Sequence, residues 1–326
     1  MAHSRTFCLS ERRQPGAWPF RAALAVLLLA VCYSPALKAQ QEPMTPAAHV
    51  ARNRALISDA GRLKLNSVQI GGLWAQIASD YQDLGQFAES EAAYNRALAL
   101  LEPESTARKA YAVTLSNLGS LYTMTGNFDA AENCNRRSLA VLERLGDPLL
   151  IARAQGHLAD VYLAMGRSKE ALRYSSLAVQ AVETLPGATS DDSGSMLITY
   201  AYASCLTSHC DEGLQAAREA MGIVRTSFEP QSLPVGQAHV ALGYVEGKAG
   251  ETAAADEDLR EGVRILRIQL PVSHPLMIHA LDLYREYLVS NHRDAEAKKI
   301  AKEQKAADKS NSCSGCTVSV YGLRIQ

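Results

Sequence analysis

A stack of about six helix-turn-helix units, all-α, is the fold that this 326-residue sequence predicts. Three observations carry the prediction. A bulky apolar residue, a tiny residue, a tyrosine and a glycine return in the same order three times, 40 or 41 residues apart: Ile77, Ala78, Tyr81 and Gly85; Leu118, Gly119, Tyr122 and Gly126; Leu158, Ala159, Tyr162 and Gly166. The composition, 47% apolar with only 6% aromatic and rich in Ala and Leu, favours helices packed through small residues over a β architecture. The segments 185–195, 228–236 and 270–275 carry the Pro, Gly and Ser that break helices, and they fall between candidate units.

The N-terminus reads as an address. Arg12, Arg13 and Arg21 precede "AALAVLLLAVCY", Ala22 to Tyr33. These 12 residues are too few to span a bilayer, which needs about 20. They fit the apolar core of a secretory signal, residues 1–39, with cleavage after Ala36 or Ala39. An uncleaved anchor is the alternative. A lipoprotein box at Cys32 is opposed by bulky Val31, and a twin-arginine signal by Gln14 and Pro15. The expected location is a bacterial periplasm or beyond. Five basic residues and one acid give 1–39 a charge of +4, which leaves −5 for the rest of a chain whose net charge is −1. No basic stripe appears, so nucleic acid is not an expected partner.

Residues 40–65 read as a linker and capping helix, with Thr45 as cap and Pro46 in the first turn. The units follow near 66–103, 106–146, 148–186, 194–226, 233–270 and 275–308, within a solenoid of 66–308. In the second unit, Leu115, Leu118, Gly119 and Tyr122 lie at i, i+3, i+4 and i+7, one helix face. Gly126 and Asn127 end that helix, and Ala131, Leu139 and Val141 mark the buried side of the next. Ala78, Gly119 and Ala159 are placed where the paired helices cross most closely. Tyr81, Tyr122 and Tyr162 read as core fillers with the hydroxyl at the rim. The fourth unit keeps Ala201 and Ala220 but has Ser208 in the glycine position; the fifth keeps Leu242, Gly243, Gly250 and Ala255, with Glu246 replacing the tyrosine. The sixth is Lys-rich and polar, as a solvent-facing end must be.

These residues resemble the tetratricopeptide repeat, and the 40–42-residue spacing is similar to the kinesin-light-chain variety. The resemblance implies a right-handed superhelical solenoid whose first helices line a concave groove that binds a protein or peptide. Gln76, Asn117 and His157 each precede the repeated apolar residue and form a polar ladder; of these, Asn117 matches the asparagine common in the kinesin-light-chain repeats. Ser79, Gln82, Ser120, Thr123, Arg153 and Asp160 are placed beside them, and Tyr202 and Tyr244 as amphipathic anchors. The groove lacks the Lys/Arg cluster that clamps a carboxylate or phosphopeptide.

No phosphate loop, dinucleotide fingerprint, nucleophile elbow or zinc-protease motif appears, so no enzyme, cofactor or resident metal is expected. Cys205, His209 and Cys210 stand close together, with Cys205 and His209 on one face if the helix continues that far. Cys313 and Cys316, in "CSGC", are a candidate disulfide, with metal or redox spacing as the alternative. The mature chain would hold five cysteines, at 134, 205, 210, 313 and 316, of which Cys134 reads as a core residue. The tail, 309–326, ends in an alternating stretch, 316–326, like one β-strand. The primary expectation is an exported non-enzymatic scaffold without a membrane span once the signal is cleaved, its oligomeric state open. The alternative is an envelope thiol or metal protein acting through Cys313 and Cys316.

Overall fold

The computed structural model describes residues 45–310 apart from Pro186, and the side chains of 307–310 are not described. The leader, Cys313, Cys316 and the alternating 316–326 stretch lie outside the described residues. All regular structure in the described part is helical, in 14 α-helices. Helices α1 (Pro46–Ser58) and α2 (Ala60–Leu63) precede six antiparallel pairs. The pairs are α3 (Ser67–Asp83) with α4 (Phe87–Leu101), α5 (Arg108–Thr125) with α6 (Phe128–Leu145), and α7 (Pro148–Ala164) with α8 (Ser168–Val182). Then come α9 (Ser190–Leu206) with α10 (Cys210–Ser227), α11 (Leu233–Ala249) with α12 (Thr252–Gln269), and α13 (Pro275–Ser290) with α14 (Asp294–Ser310). The capping helix thus begins at Pro46, as the sequence predicts, but breaks after Ser58.

Local chemistry starts and stops these helices. Asn66 and Gln69 form a reciprocal capping box at α3, as do Thr189 and Asp192 at α9. Asp147 accepts from the Leu150 amide and Pro148 occupies the first turn of α7. Between the two helices of every pair stands one residue with positive φ: Gly85, Gly126, Gly166, Ser208, Gly250 and His292. Their spacings are 41, 40, 42, 42 and 42 residues, so the period persists through the divergent units. Ser208 and His292 hold this left-handed geometry without glycine's freedom, at about 1–2 kcal/mol each. At Ser208 the turn is closed covalently by a Cys205–Cys210 disulfide. The one-face reading of Cys205 and His209 is therefore corrected: α9 stops at Leu206, and His209 caps α10 instead of continuing α9.

The small residues sit where the sequence reading put them. Ala78 and Ala159 are fully buried, and Ser90 Oγ of α4 donates to the Ala78 carbonyl at 2.7 Å. A Cβ on Gly119 would fall 2.5 Å from Asn135 Nδ2. A Cβ on Gly243 would fall 2.7 Å from the Leu259 amide nitrogen and 3.0 Å from the Ala255 carbonyl. The tyrosines fill the core with hydroxyls at its edge: Tyr122 donates to Glu91 at 2.7 Å and Tyr162 to Glu132 at 2.9 Å. Cys134 is buried and free, and burial pushes its thiol pKa up.

First helices pack on the first helices of neighbouring units, while second helices are held apart by the intervening first helix. The first helices α3, α5, α7, α9, α11 and α13 therefore line the inner side. The coil is tight enough for α13 to reach α5, and the Phe87 ring meets His274 at 6.1 Å. No described helix is long and apolar enough to cross a membrane.

Candidate concave binding surface

The inner side is built from recurring register positions on the first helices. Gln76 and Ser79 on α3 are exposed, and Asn117 and Ser120 on α5 are half-buried. Gln76 is engaged by the capping helix, since its Oε1 accepts from Asn53 Nδ2 at 3.2 Å. Beside it His49 Nδ1 lies 3.4 Å from Asp80 Oδ1. Gln82 donates to Met124 Sδ at 3.2 Å, which ties the first unit to the second.

The middle of the surface lies on α7. Arg153 makes a two-pronged ion pair with Asp192 at 2.7 and 2.8 Å. Asp192 also caps α9, so one carboxylate terminates a helix and neutralises the only inward cation of its neighbour. His157 lies one turn further along; burial, helped by the Arg153 charge, pushes its pKa below the usual imidazole range. It is therefore neutral at pH 7. Asp160 accepts from Thr199 Oγ1 at 2.7 Å, and burial raises its carboxyl pKa to about 6.

Three sequence-predicted groove residues are corrected by their burial. Thr123 is 5% exposed and its hydroxyl donates to the Gly119 carbonyl at 2.9 Å, inside its own helix. Tyr202 and Tyr244 are each 6% exposed and pack on each other with ring centroids 5.3 Å apart. Tyr202 also meets His279 of α13, at 6.0 Å. The tightness of the coil explains the two tyrosines, and a hydrogen bond inside α5 accounts for Thr123. In the last units the inner side is closed by its own aromatics, so the open part is confined to α3, α5 and α7.

Sequence reasoning missed Asp192, Thr199 and Asn53. A signal existed: Arg153 to Asp192 and Asp160 to Thr199 are both separated by 39 residues, close to one repeat. Complementary groups one period apart are neighbours across a unit boundary. What remains along α5 and α7 is a row of an amide, a hydroxyl, a neutral imidazole and a carboxyl bonded to a hydroxyl. Such a row donates to and accepts from peptide groups, with Asp160 as its one acidic group. Among the described residues no group of three His, Cys, Asp or Glu side chains could hold a metal ion. Cys205 and Cys210 are spent on their mutual disulfide.

Residues 69–144 match the tetratricopeptide repeat family. No curated protein matches the chain in sequence. Among solved structures the chain is similar to RapI in its apo form, at TM-score 0.64 and 13% identity, covering 81% of this chain and 92% of that one. It is similar to BtubC (BKLC) from P. vanneervenii at TM-score 0.55 and 20% identity, covering 69% and 92%. A Rap protein complexed with Competence and Sporulation Factor is similar at TM-score 0.56 and 12% identity, covering 89% and 94%. At these identities the likeness is one of fold.

Proposed function

We propose that this tetratricopeptide-repeat solenoid is an exported, non-enzymatic scaffold that holds a protein or peptide segment on its concave surface. The observation that carries the reading is the polar row Asn117, Ser120, His157 and Asp160 on two adjacent first helices, with Asp160 as its one acidic group. A row of this kind satisfies the backbone groups of a bound segment whatever its side chains. The precedent of fold is the Rap protein, which was crystallised with a bound factor.

Export rests on the N-terminal basic and apolar stretch, and on an independent feature. The Cys205–Cys210 disulfide belongs to an oxidising compartment, since cytosolic thiols are held reduced. An exported chain would be recovered from the envelope at the mass of the sequence less its first 36 or 39 residues.

The test is affinity capture from an envelope extract with residues 40–326, beside the N117A/H157A/D160A variant of equal thermal stability. A protein recovered by the parent and lost with the variant supports the scaffold. The same protein held equally by both removes the concave surface from the account.

A further inference from the structure

A departure from the repeat register opens a groove on the side away from the concave surface. The position of the repeated bulky residue is filled by Ile77, Leu118, Leu158 and Leu242 in four units, and all four are buried. In the fourth unit the same position holds Tyr200, which is half-buried. Its hydroxyl donates to Glu212 Oε2 at 3.2 Å. A phenol turned outwards in this way does not fill the space an isobutyl group fills. A groove of about 350 Å³ lies there, walled by α8 and α10 and floored by α9. That is the size range of pockets that take a ligand side chain or two.

The floor is Leu197 and the Tyr200 ring, and Val179 and Ala216 continue the apolar lining at the foot of the two walls. The rim carries Glu183 from one wall and Glu212 and Glu219 from the other, with no lysine or arginine among the lining residues. Elsewhere the chain pairs its surface charges between neighbouring units: Lys109 with Asp147 at 2.7 Å, Arg218 with Glu251 at 2.6 Å and Arg267 with Glu303 at 2.7 Å. Among the described residues none of the three rim carboxylates is in an ion pair. Glu183 moreover caps the C-terminus of α8, where the helix dipole disfavours an anion. Local helix energetics therefore give no reason for a carboxylate there. Glu212 and Glu219 are seven residues apart on α10, two turns or about 10.5 Å along the axis.

We propose that this groove docks a basic amphipathic helix of a partner protein. Aliphatic side chains of that helix lie on the floor. Its lysines or arginines, two turns apart, reach Glu212 and Glu219 on one wall and Glu183 on the other. The proposal stands apart from the concave reading, because the two surfaces share no residue.

The test uses residues 40–326, which contain all of the described helices. The probe is a fluorescein-labelled synthetic helical peptide with lysines at i and i+7 and leucines at i+3 and i+4, followed by anisotropy. Its partner probe carries glutamates in place of the lysines. The E183Q/E212Q/E219Q variant should lose about tenfold or more in affinity for the lysine peptide. The E143Q/E229Q/E257Q variant makes the same charge change at exposed sites outside the groove and should stay within about twofold. Tyr200→Leu, which returns the register residue and leaves all carboxylates in place, should also weaken binding. Equal binding by the two glutamine variants overturns the proposal, as does equal binding of the two peptides. A parent that dimerises while E183Q/E212Q/E219Q does not would make a second copy the occupant, and would overturn it too.

Discussion

The first three units and the last three share one geometry and differ in chemistry. In the first three the inter-helix turn is held by Gly85, Gly126 and Gly166, the helix crossing by Ala78, Gly119 and Ala159, and the core edge by Tyr81, Tyr122 and Tyr162. In the last three the same turn is held by Ser208 beside a disulfide, by Gly250 and by His292. The tyrosine position is filled by Ser204, Glu246 and Leu288, all buried. Backbone geometry is what stacking demands of every unit; side-chain identity is free to change wherever another device supplies the same constraint. The divergent half is thus not a decayed copy. It keeps the period and spends its substitutions on a covalent turn, a buried acid cluster and aromatics that close the inner side.

The sharpest way to break this comparison is at the two glycine crossings. At Gly243 a methyl group would meet backbone on α12, which cannot step aside without moving the helix. At Gly119 it would meet the Asn135 side chain, whose Nδ2 donates to the Ala131 carbonyl at 3.0 Å and whose rotamer can change. Gly243→Ala should cost about 3 kcal/mol and Gly119→Ala about 1 kcal/mol, read from urea midpoints. Equal losses would mean that the tightness of the crossing does not differ between the halves.

The next effect belongs to the turn. Replacing Cys205 and Cys210 together by serine should cost about 2 kcal/mol, the chain-entropy value for so short a loop. Hydrogen exchange should rise in α9 and α10 and stay unchanged in α3 to α6. A uniform rise would show that the disulfide braces the whole coil rather than substituting for a glycine turn.

The repeat was legible because packing imposes it at every unit: one apolar stripe per helix, a small residue at each crossing, a left-handed residue at each turn. Even the divergent units were found by that pattern, through Ala201, Ser208, Gly243 and Gly250. The candidate surface was legible only in part. Periodicity says which face of a helix turns inwards; it does not say how tightly the units coil. Tyr202 and Tyr244 face inwards as expected, and the approach of α13 buries them. Thr123 faces the inner side but satisfies its hydroxyl within its own helix. The Cys205–Cys210 bridge was hidden because the end of α9 at Leu206 has no glycine or proline to announce it. Glu246 stood out from its tyrosine counterparts, yet its partner Asp258 lies on the next helix, twelve residues on, a separation that no repeat spacing marks.

The smallest effect tests that Glu246 cluster. Glu246 is 4% exposed between α11 and α12, and faces Asp258, Glu251 and Arg218. Asp258 is also bonded to His239, at 2.6 Å. Burial first, then the Asp258 charge, raises the Glu246 carboxyl pKa to about 7. A raised carboxyl makes the fold bind a proton that the unfolded chain has released. Stability from this group is therefore complete below about pH 4.5, declines as pH rises, and is level again above about 7. The decline should amount to about 1–2 kcal/mol, small because side chains around a buried acid relax. Glu246→Gln keeps a hydrogen-bond donor towards Asp258 and cannot ionise, so its unfolding free energy should be flatter than the parent's between pH 4.5 and 7. Any slope it retains belongs to other groups. In the second and third units this position holds Tyr122 and Tyr162, whose hydroxyls burial keeps protonated throughout that range. A parent profile as flat as that of Glu246→Gln would mean that the divergent half behaves here like the regular one.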